Sequence, residues 1–140
     1  MSTDPRPPRA DAARNREQLL AVATRVFASD GAEASMRAIA REAGVGIATL
    51  YRHLPTRQAL VEAVYRDQVE RLTTGARTLL AEHTPAEAMR RWMDLYGEWI
   101  ATKSGMLDTL LAMVESGDLA HTRTRDSILA SISPILDAGV

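Results

Sequence analysis

The segment at residues 35–55, SMRAIAREAGVGIATLYRHLP, restricts the possible fold more than any other part of the sequence. Gly44 lies between two short stretches of helical periodicity, and glycine readily adopts the positive φ that a tight turn after a helix requires. Ala40 is small enough for two helices to cross closely, while Val45 and Leu50 can anchor the second stretch from its inner side. The pattern therefore predicts two helices packed across a short turn.

Helical periodicity continues on both sides of this segment, and no stretch alternates polar and apolar side chains as a half-buried strand does. Caps and glycine or proline stops divide the chain into seven expected helices. Their approximate ranges are 11–30, 36–43, 46–54, 57–80, 85–103, 106–115 and 124–137. Pro134 is expected to kink the last of them. The predicted fold class is all-α, with a three-helix head followed by a helical-bundle body.

The chain is expected to have three parts. Residues 1–13 carry three prolines, the last of them Pro8, and should form a flexible arm because proline disfavours a helix there. Residues 14–58 should form the head that contains the helix–turn–helix, and residues 59–140 the helical body. Residues 1–60 hold nine arginines and six acids, whereas the remainder holds eight bases and twelve acids. A basic head on an acidic body suits a protein that meets phosphate at one end only.

Several classes of protein and site are disfavoured by the sequence. It contains no cysteine, no apolar run long enough for a bilayer and no signal peptide, so a cytoplasmic protein without disulfides is expected. The three histidines, His53, His83 and His121, lie far apart, and we expect no metal site or cofactor. No nucleophile–base, phosphate-loop or paired-carboxylate pattern indicates an enzyme.

The second helix of the predicted motif has an unusual outer face. No acidic residue occurs between Gly44 and Leu60, and Tyr51, Arg52 and His53 offer donors that suit phosphate oxygens. A slim, acid-free helix can enter a major groove, so the segment is typical of a DNA-binding helix–turn–helix. The alternative is a structural helical hairpin in which the glycine only ends a helix.

The motif resembles the N-terminal domain of the tetracycline-repressor (TetR) family. The family's usual run is similar to Ile-Ala-x-x-Ala-Gly-Val followed by Thr-Leu-Tyr-x-His-Phe, and residues 39–45 and 49–54 show this pattern with Leu54 in place of Phe. The similarity covers about residues 14–65. It implies a dimeric repressor whose C-terminal body binds a small-molecule effector that weakens binding to a double-stranded DNA operator.

The resemblance assigns roles to individual positions. Ser35 matches a capping hydroxyl that also reaches a phosphate, whereas Gly46, Ile47 and Thr49 match positions that touch base edges. Arg57 stands where the family mostly has Lys, and Gly46 replaces a common Ser or Thr. The predicted DNA-binding residues are Arg14, Ser35, Arg37, Gly46, Ile47, Thr49, Tyr51, Arg52, His53 and Arg57.

Arginines also precede the motif. An arm that carries Arg6 and Arg9 could enter the minor groove beside the operator, as other DNA-binding arms do. A solvated tail explains these two residues equally well, because their surroundings are rich in proline. Arg14 is better placed, since it begins the first helix.

The body is distinguished by aromatic and methionine side chains at helical spacing. Trp92, Tyr96 and Trp99 are four and three residues apart and so share a helix face. Two compatible interpretations exist. The side chains form a packed core, or they line an apolar pocket for a flat or strongly hydrophobic effector. The predicted ligand-binding residues are Met89, Trp92, Met93, Tyr96, Trp99 and Met113.

The resemblance ends before the family's usual C-terminus. Family members continue for two more long helices that build the dimer interface, whereas this sequence stops at Val140 after the seventh predicted helix. Either a truncated product or a short variant is compatible with this, and a homodimer is expected if those helices are present. The competing hypothesis is a helical module that binds a small molecule or a protein and has lost DNA binding.

Overall fold

The computed structural model describes the backbone of residues 8–117 and 121–139 and the side chains of residues 14–31, 33–117 and 124–139. The helices, in chain order, are α1 Pro8–Asp30, α2 Met36–Ala43, α3 Ile47–His53, α4 Arg57–Glu82, α5 Pro85–Gly105, α6 Leu107–Ser116, α7 His121–Ser131 and α8 Ser133–Ala138. A short 3-10 turn, Gly31–Glu33, joins α1 to the loop before α2. No strand occurs within these ranges, and the predicted all-α class is confirmed.

Three helices begin at a side chain that accepts a hydrogen bond from a free backbone amide. The hydroxyl of Ser35 accepts a hydrogen bond from the Ala38 amide at 3.1 Å and begins α2. Thr56 does the same for α4 at 3.0 Å. Thr84 accepts from the Glu87 amide at 3.3 Å at the start of α5. These caps satisfy amides that have no partner within their own helix, so all three predicted starts are confirmed.

The prediction for the start of the first helix was wrong. α1 begins at Pro8, three residues before the expected position and inside the segment that was assigned to a flexible arm. Proline is accepted in the first turn of a helix, because the amide that it lacks would have no helical partner there and its φ is already helical. Residues 1–7, including Arg6, lie outside the described part of the chain, as does the side chain of Arg9.

The last predicted helix is divided in two. α7 ends at Ser131, and Pro134 occupies the first turn of α8, so the expected kink is a complete break at Ile132. Because proline has no amide hydrogen and clashes with the preceding turn, a single helix cannot continue through it unbent. α7 also begins at His121, three residues earlier than predicted.

α4 is the central helix of the fold. It packs against α1, α5, α6, α7 and α8, and its buried side chains include Leu60, Val64, Tyr65 and Leu72. α1 in turn packs more extensively along α5 than along α2. The head and the body therefore share one continuous apolar core, in which Phe27 of α1 is fully buried. None of the described helices combines the length and hydropathy needed to cross a membrane.

Candidate nucleic-acid interface and body cavity

The turn between α2 and α3 has the backbone geometry that the sequence predicts. Gly44 adopts φ 72° and ψ 26°, in the left-handed region. This conformation lets the Val45 amide donate to the Ala40 carbonyl at 3.0 Å, which satisfies an acceptor at the end of α2. The chain then re-enters a helix at Ile47, so α3 is held firmly against α2.

The two faces of α3 differ sharply in exposure. Leu50 is fully buried and Ala40 of α2 is 3% exposed, so these small and apolar side chains form the inner contact. On the outer side, Ile47 is 36% exposed and Tyr51 44% exposed. Gly46, Ala48 and Arg52 are also exposed, whereas Thr49 and His53 are half-buried. The face predicted to meet DNA is therefore open to solvent.

The chemistry of this outer face suits a polyanion. It offers a phenol from Tyr51, a guanidinium from Arg52, an imidazole from His53 and the apolar side chain of Ile47, with no carboxylate from residues 45–59. Hydroxyl, imidazole and guanidinium groups donate to phosphate oxygens, while an isoleucine can contact a thymine methyl. We define Gly46, Ile47, Thr49, Tyr51, Arg52 and His53 as the α3 outer face.

Residues on α2 and α1 extend the basic surface. Ser35 uses its hydroxyl oxygen to cap α2, which leaves the hydroxyl proton able to donate to a phosphate. Arg37, the second residue of α2, is exposed. Arg14 is exposed as well, but it lies near the start of α1 and not on the two helices of the motif.

Arg57, which the sequence predicts to be a phosphate ligand, makes its described contacts within the protein. Its Nη1 donates to the carbonyl of Ala34 at 2.6 Å, and its Nε donates to the Thr109 hydroxyl of α6 at 3.4 Å. The guanidinium carbon also lies 5.3 Å from the centroid of the Phe27 ring. Because these contacts direct the charge inward, Arg57 joins the loop before α2 to both α1 and α6. It does not belong to the surface formed by the outer face of α3.

The body contains an apolar cavity of about 540 Å³ beside α5. Five of the six predicted ligand-binding residues line it: Met89, Trp92, Met93, Tyr96 and Trp99. The rings of Trp92 and Tyr96 stack at 5.5 Å with an angle of 19° between their planes. The indole of Trp92 also donates to the Leu72 carbonyl at 2.9 Å, which holds this stacked pair in place. Trp92 and Trp99 are buried and also line the cavity, so core packing and a cavity wall are combined in these residues, and binding of an effector there stays a prediction.

Met113 was predicted to join this group, and the structure contradicts that prediction. Its side chain is 1% exposed on α6 and packs in the core, away from the described lining of the cavity. The spacing of apolar residues along α6 marks an inward position, but it does not specify which internal space that position faces.

Other lining residues were missed by the sequence analysis. Ile100 and Lys103 continue the helical repeat of Trp92, Tyr96 and Trp99 along α5, so periodicity alone could have identified them. The remaining ones come from α4 and α7, whose position depends on tertiary packing. They are Tyr65, Thr124, Arg125, Ile128, Leu129 and Ile132, the last of which follows α7.

Several known proteins are similar to this chain in both sequence and architecture. A family model described as bacterial regulatory proteins of the tetR family matches residues 19–64, which include α2 and α3. A TetR transcriptional regulator from Streptomyces coelicolor has a similar solved structure, with 46% identity and a TM-score of 0.76 over 88% of this chain and 70% of that chain. The chain belongs to the TetR family.

Further comparisons give other transcriptional regulators. A TetR transcription regulatory protein from Mycobacterium vanbaalenii is 43% identical with a TM-score of 0.76, covering 94% of this chain and 79% of that chain. An HTH-type transcriptional regulator of Staphylococcus aureus is 30% identical over 79% of this chain and 58% of its own length. A second regulator of that species is 32% identical over 61% of this chain and 48% of its own length. The TetR-family chain therefore spans about half the length of these curated relatives.

Proposed function

We propose that this TetR-family protein is a transcriptional regulator that binds a double-stranded DNA operator through α2 and α3. One observation carries the proposal: α3 buries Leu50 and exposes Ile47 and Tyr51 on a face to which the sequence contributes no acid. A helix of this kind fits the major groove, because its outer side chains are slim or donate hydrogen bonds.

Two groups of residues are proposed to make different contacts with the operator. Gly46, Ile47 and Thr49 lie at the start of α3 and are proposed to meet base edges, with Ile47 against a thymine methyl. A second set is proposed to bind phosphates and set the orientation of the helix. It consists of Arg14, Ser35, Arg37, Tyr51, Arg52 and His53.

The cavity of the body is the proposed effector site, and effector binding is proposed to weaken operator binding. Its walls are mainly apolar and include the stacked Trp92 and Tyr96. α5, which supplies most of the aromatic wall, also packs along α1 of the head. A ligand that shifts α5 would therefore act on α1 through direct packing, which supports the role of a repressor released by its effector.

We further propose a cytoplasmic homodimer that binds a two-fold symmetric operator. Each head would then contact one half-site, and linking the two heads would raise the affinity well above that of a single head. Sedimentation velocity tests the oligomeric state separately from DNA binding.

The decisive experiment is a selection of bound sequences from random DNA duplexes, followed by affinity measurements on the enriched site. We expect enrichment of a two-fold symmetric site and a linear decrease of log affinity with log salt concentration. Arg52→Ala should weaken binding to specific and nonspecific duplexes alike. It should also reduce the steepness of the plot of log affinity against log salt concentration by about one. Arg77→Ala is the matched control, since Arg77 is exposed on α4 outside the proposed interface.

The competing hypothesis, a helical binding module without DNA binding, gives a different result. The selection would then yield no enriched sequence, and the chain would not bind duplex DNA even at low salt. That outcome would overturn the proposed regulator, whatever the cavity binds.

A further inference from the structure

We propose that the cavity of the body binds an apolar monocarboxylate, with the carboxylate held between the hydroxyl of Tyr65 and the ammonium group of Lys103. The inference deepens the proposed effector role and rests on it. Binding of the acid to the free protein can nevertheless be tested without DNA.

The buried hydroxyl of Tyr65 provides the first argument. Tyr65 is 3% exposed and lines the cavity, and its Oη has no hydrogen-bond partner, the only such buried side-chain atom among the described residues. Buried polar atoms are nearly always paired, because leaving one unpaired costs the free energy of its lost hydration. The oxygen is closed off from solvent, so a ligand that displaces a neighbouring side chain and accepts a hydrogen bond from this phenol would remove the penalty.

The position of Lys103 provides the second argument. The Tyr65 and Trp99 rings meet edge to face with their centroids 5.1 Å apart, and Lys103 Nζ lies 5.9 Å from the Trp99 ring. The Tyr65 ring and the Lys103 ammonium group thus both lie near the Trp99 indole, and all three residues line the cavity. Lys103 is also the only lysine in the sequence. Its pKa is lowered by burial, so its positive charge is incompletely solvated and a nearby anion would stabilise it.

The charge and shape of the remaining wall identify the rest of the ligand. Arg125 adds a second base to the lining, and none of the described lining residues is acidic. The stacked rings of Trp92 and Tyr96 offer flat apolar surface, while Met89 and Met93 are flexible enough to follow the outline of a ligand. A compound with one negative charge at one end and an apolar body matches this distribution, whereas a cation or a highly polar ligand does not.

Isothermal titration calorimetry with 2-naphthoate and 2-naphthamide tests the charge requirement. The two compounds have the same ring system and differ in the charge of one group. We expect naphthoate to bind at least about tenfold more tightly, because a charge-assisted hydrogen bond is stronger than a neutral one. Decanoate and decanamide repeat the comparison with a flexible apolar body. The proposal would be overturned if neither naphthoate nor decanoate bound at about 1 mM.

Variants of Lys103 and Tyr65 test whether the ammonium group and the hydroxyl bind the two compounds as proposed. Lys103→Met should weaken naphthoate binding about tenfold and leave naphthamide binding nearly unchanged, whereas Lys103→Arg should retain a preference for the acid. Tyr65→Phe should weaken both compounds, since each has an oxygen that can accept from the phenol. Arg77→Met removes a positive charge outside the cavity and is the control. Equal losses in Lys103→Met and Arg77→Met would contradict specific recognition by Lys103.

The single lysine also gives a direct spectroscopic signature. In protein labelled with carbon-13 at lysine Cε, one side-chain signal arises, and its titration reports the pKa of Lys103. Naphthoate should raise that pKa, because a bound carboxylate favours the charged ammonium. An unchanged pKa with bound naphthoate would place the carboxylate elsewhere and overturn the proposal. If the acids do not bind but the operator does, only this inference is rejected. If the acids bind but no operator does, only the proposed role as a transcriptional regulator is rejected.

Discussion

The backbone of Gly105 lies directly against the backbone of Phe27. A methyl group on Gly105 would come within 2.0 Å of the Phe27 carbonyl oxygen and 2.8 Å of its carbonyl carbon. Gly105 is the last residue of α5, and Phe27 is fully buried in α1. The helix that lines the cavity and the first helix of the head therefore meet without a side chain between them.

This close approach predicts that Gly105→Ala is strongly destabilising. No flexible side chain can yield to the added methyl group, so α5 or α1 must shift, at a cost of about 2–3 kcal/mol in the free energy of unfolding. Urea denaturation followed by circular dichroism measures the change. Gly97→Ala in the same helix is the control, because apart from the chain neighbours and the nearby backbone of its own helix no described atom lies within 4 Å of a methyl group there. Gly97→Ala should be stabilising by about 0.5–1 kcal/mol, and equal effects of the two substitutions would contradict the tight contact.

The inward contacts of Arg57 predict that its main role is structural. Arg57→Met should lower the free energy of unfolding by about 1–3 kcal/mol, because the Ala34 carbonyl loses its charged donor. Arg52→Met should change stability by less than about 0.5 kcal/mol, since Arg52 is exposed, while weakening DNA binding. Thermal unfolding and fluorescence anisotropy with duplex DNA separate the two effects. A stable Arg57→Met protein with a selective loss of DNA binding would instead assign Arg57 to the phosphates.

The two glycines of the turn predict opposite responses to serine. Gly46 has φ −71°, and apart from Gly46 itself and its chain neighbours no described atom lies within 4 Å of the point that a Cβ would occupy. Gly46→Ser should therefore fold normally and gain a few tenths of a kcal/mol from a capping hydroxyl. Gly44 has φ 72°, and Gly44→Ser should cost about 1–2 kcal/mol. Because Gly46 lies on the α3 outer face, Gly46→Ser should also change the preferred bases. The same sequence preference in Gly46→Ser and the parent protein would place Gly46 away from the operator.

The lowered pKa of Lys103 predicts a specific dependence of stability on pH. Burial lowers this pKa below its ordinary value of 10.5, so between the two values the unfolded chain binds more protons than the folded chain. Stability from this group therefore rises with pH across that window. Lys103→Met should have a higher melting temperature than the parent protein at pH 7, with a difference that narrows toward pH 10.5. A difference in melting temperature that is the same at all pH values would show that burial of the charged Lys103 does not lower stability.

Much of the fold was predictable because it depends on short-range physics. The left-handed turn at Gly44 and the caps at Ser35, Thr56 and Thr84 each involve residues within five positions of one another. The inward position of Leu50 follows from the helical repeat, which the sequence displays directly. The start of α1 was missed even though it is also local, because Pro8 was treated only as a helix breaker.

Neighbouring residues along the chain are enough to predict most helix starts and turns and the apolar face of each helix, since these properties are local. What the inward side chains contact depends on the whole fold. In the folded chain Arg57 donates to the Ala34 carbonyl and Met113 is buried in the core. Tyr65 of α4 lies against Trp99 of α5, and both line the cavity together with Lys103. Periodicity specifies an angle around a helix axis, but the neighbour at that angle depends on how distant helices cross and pack.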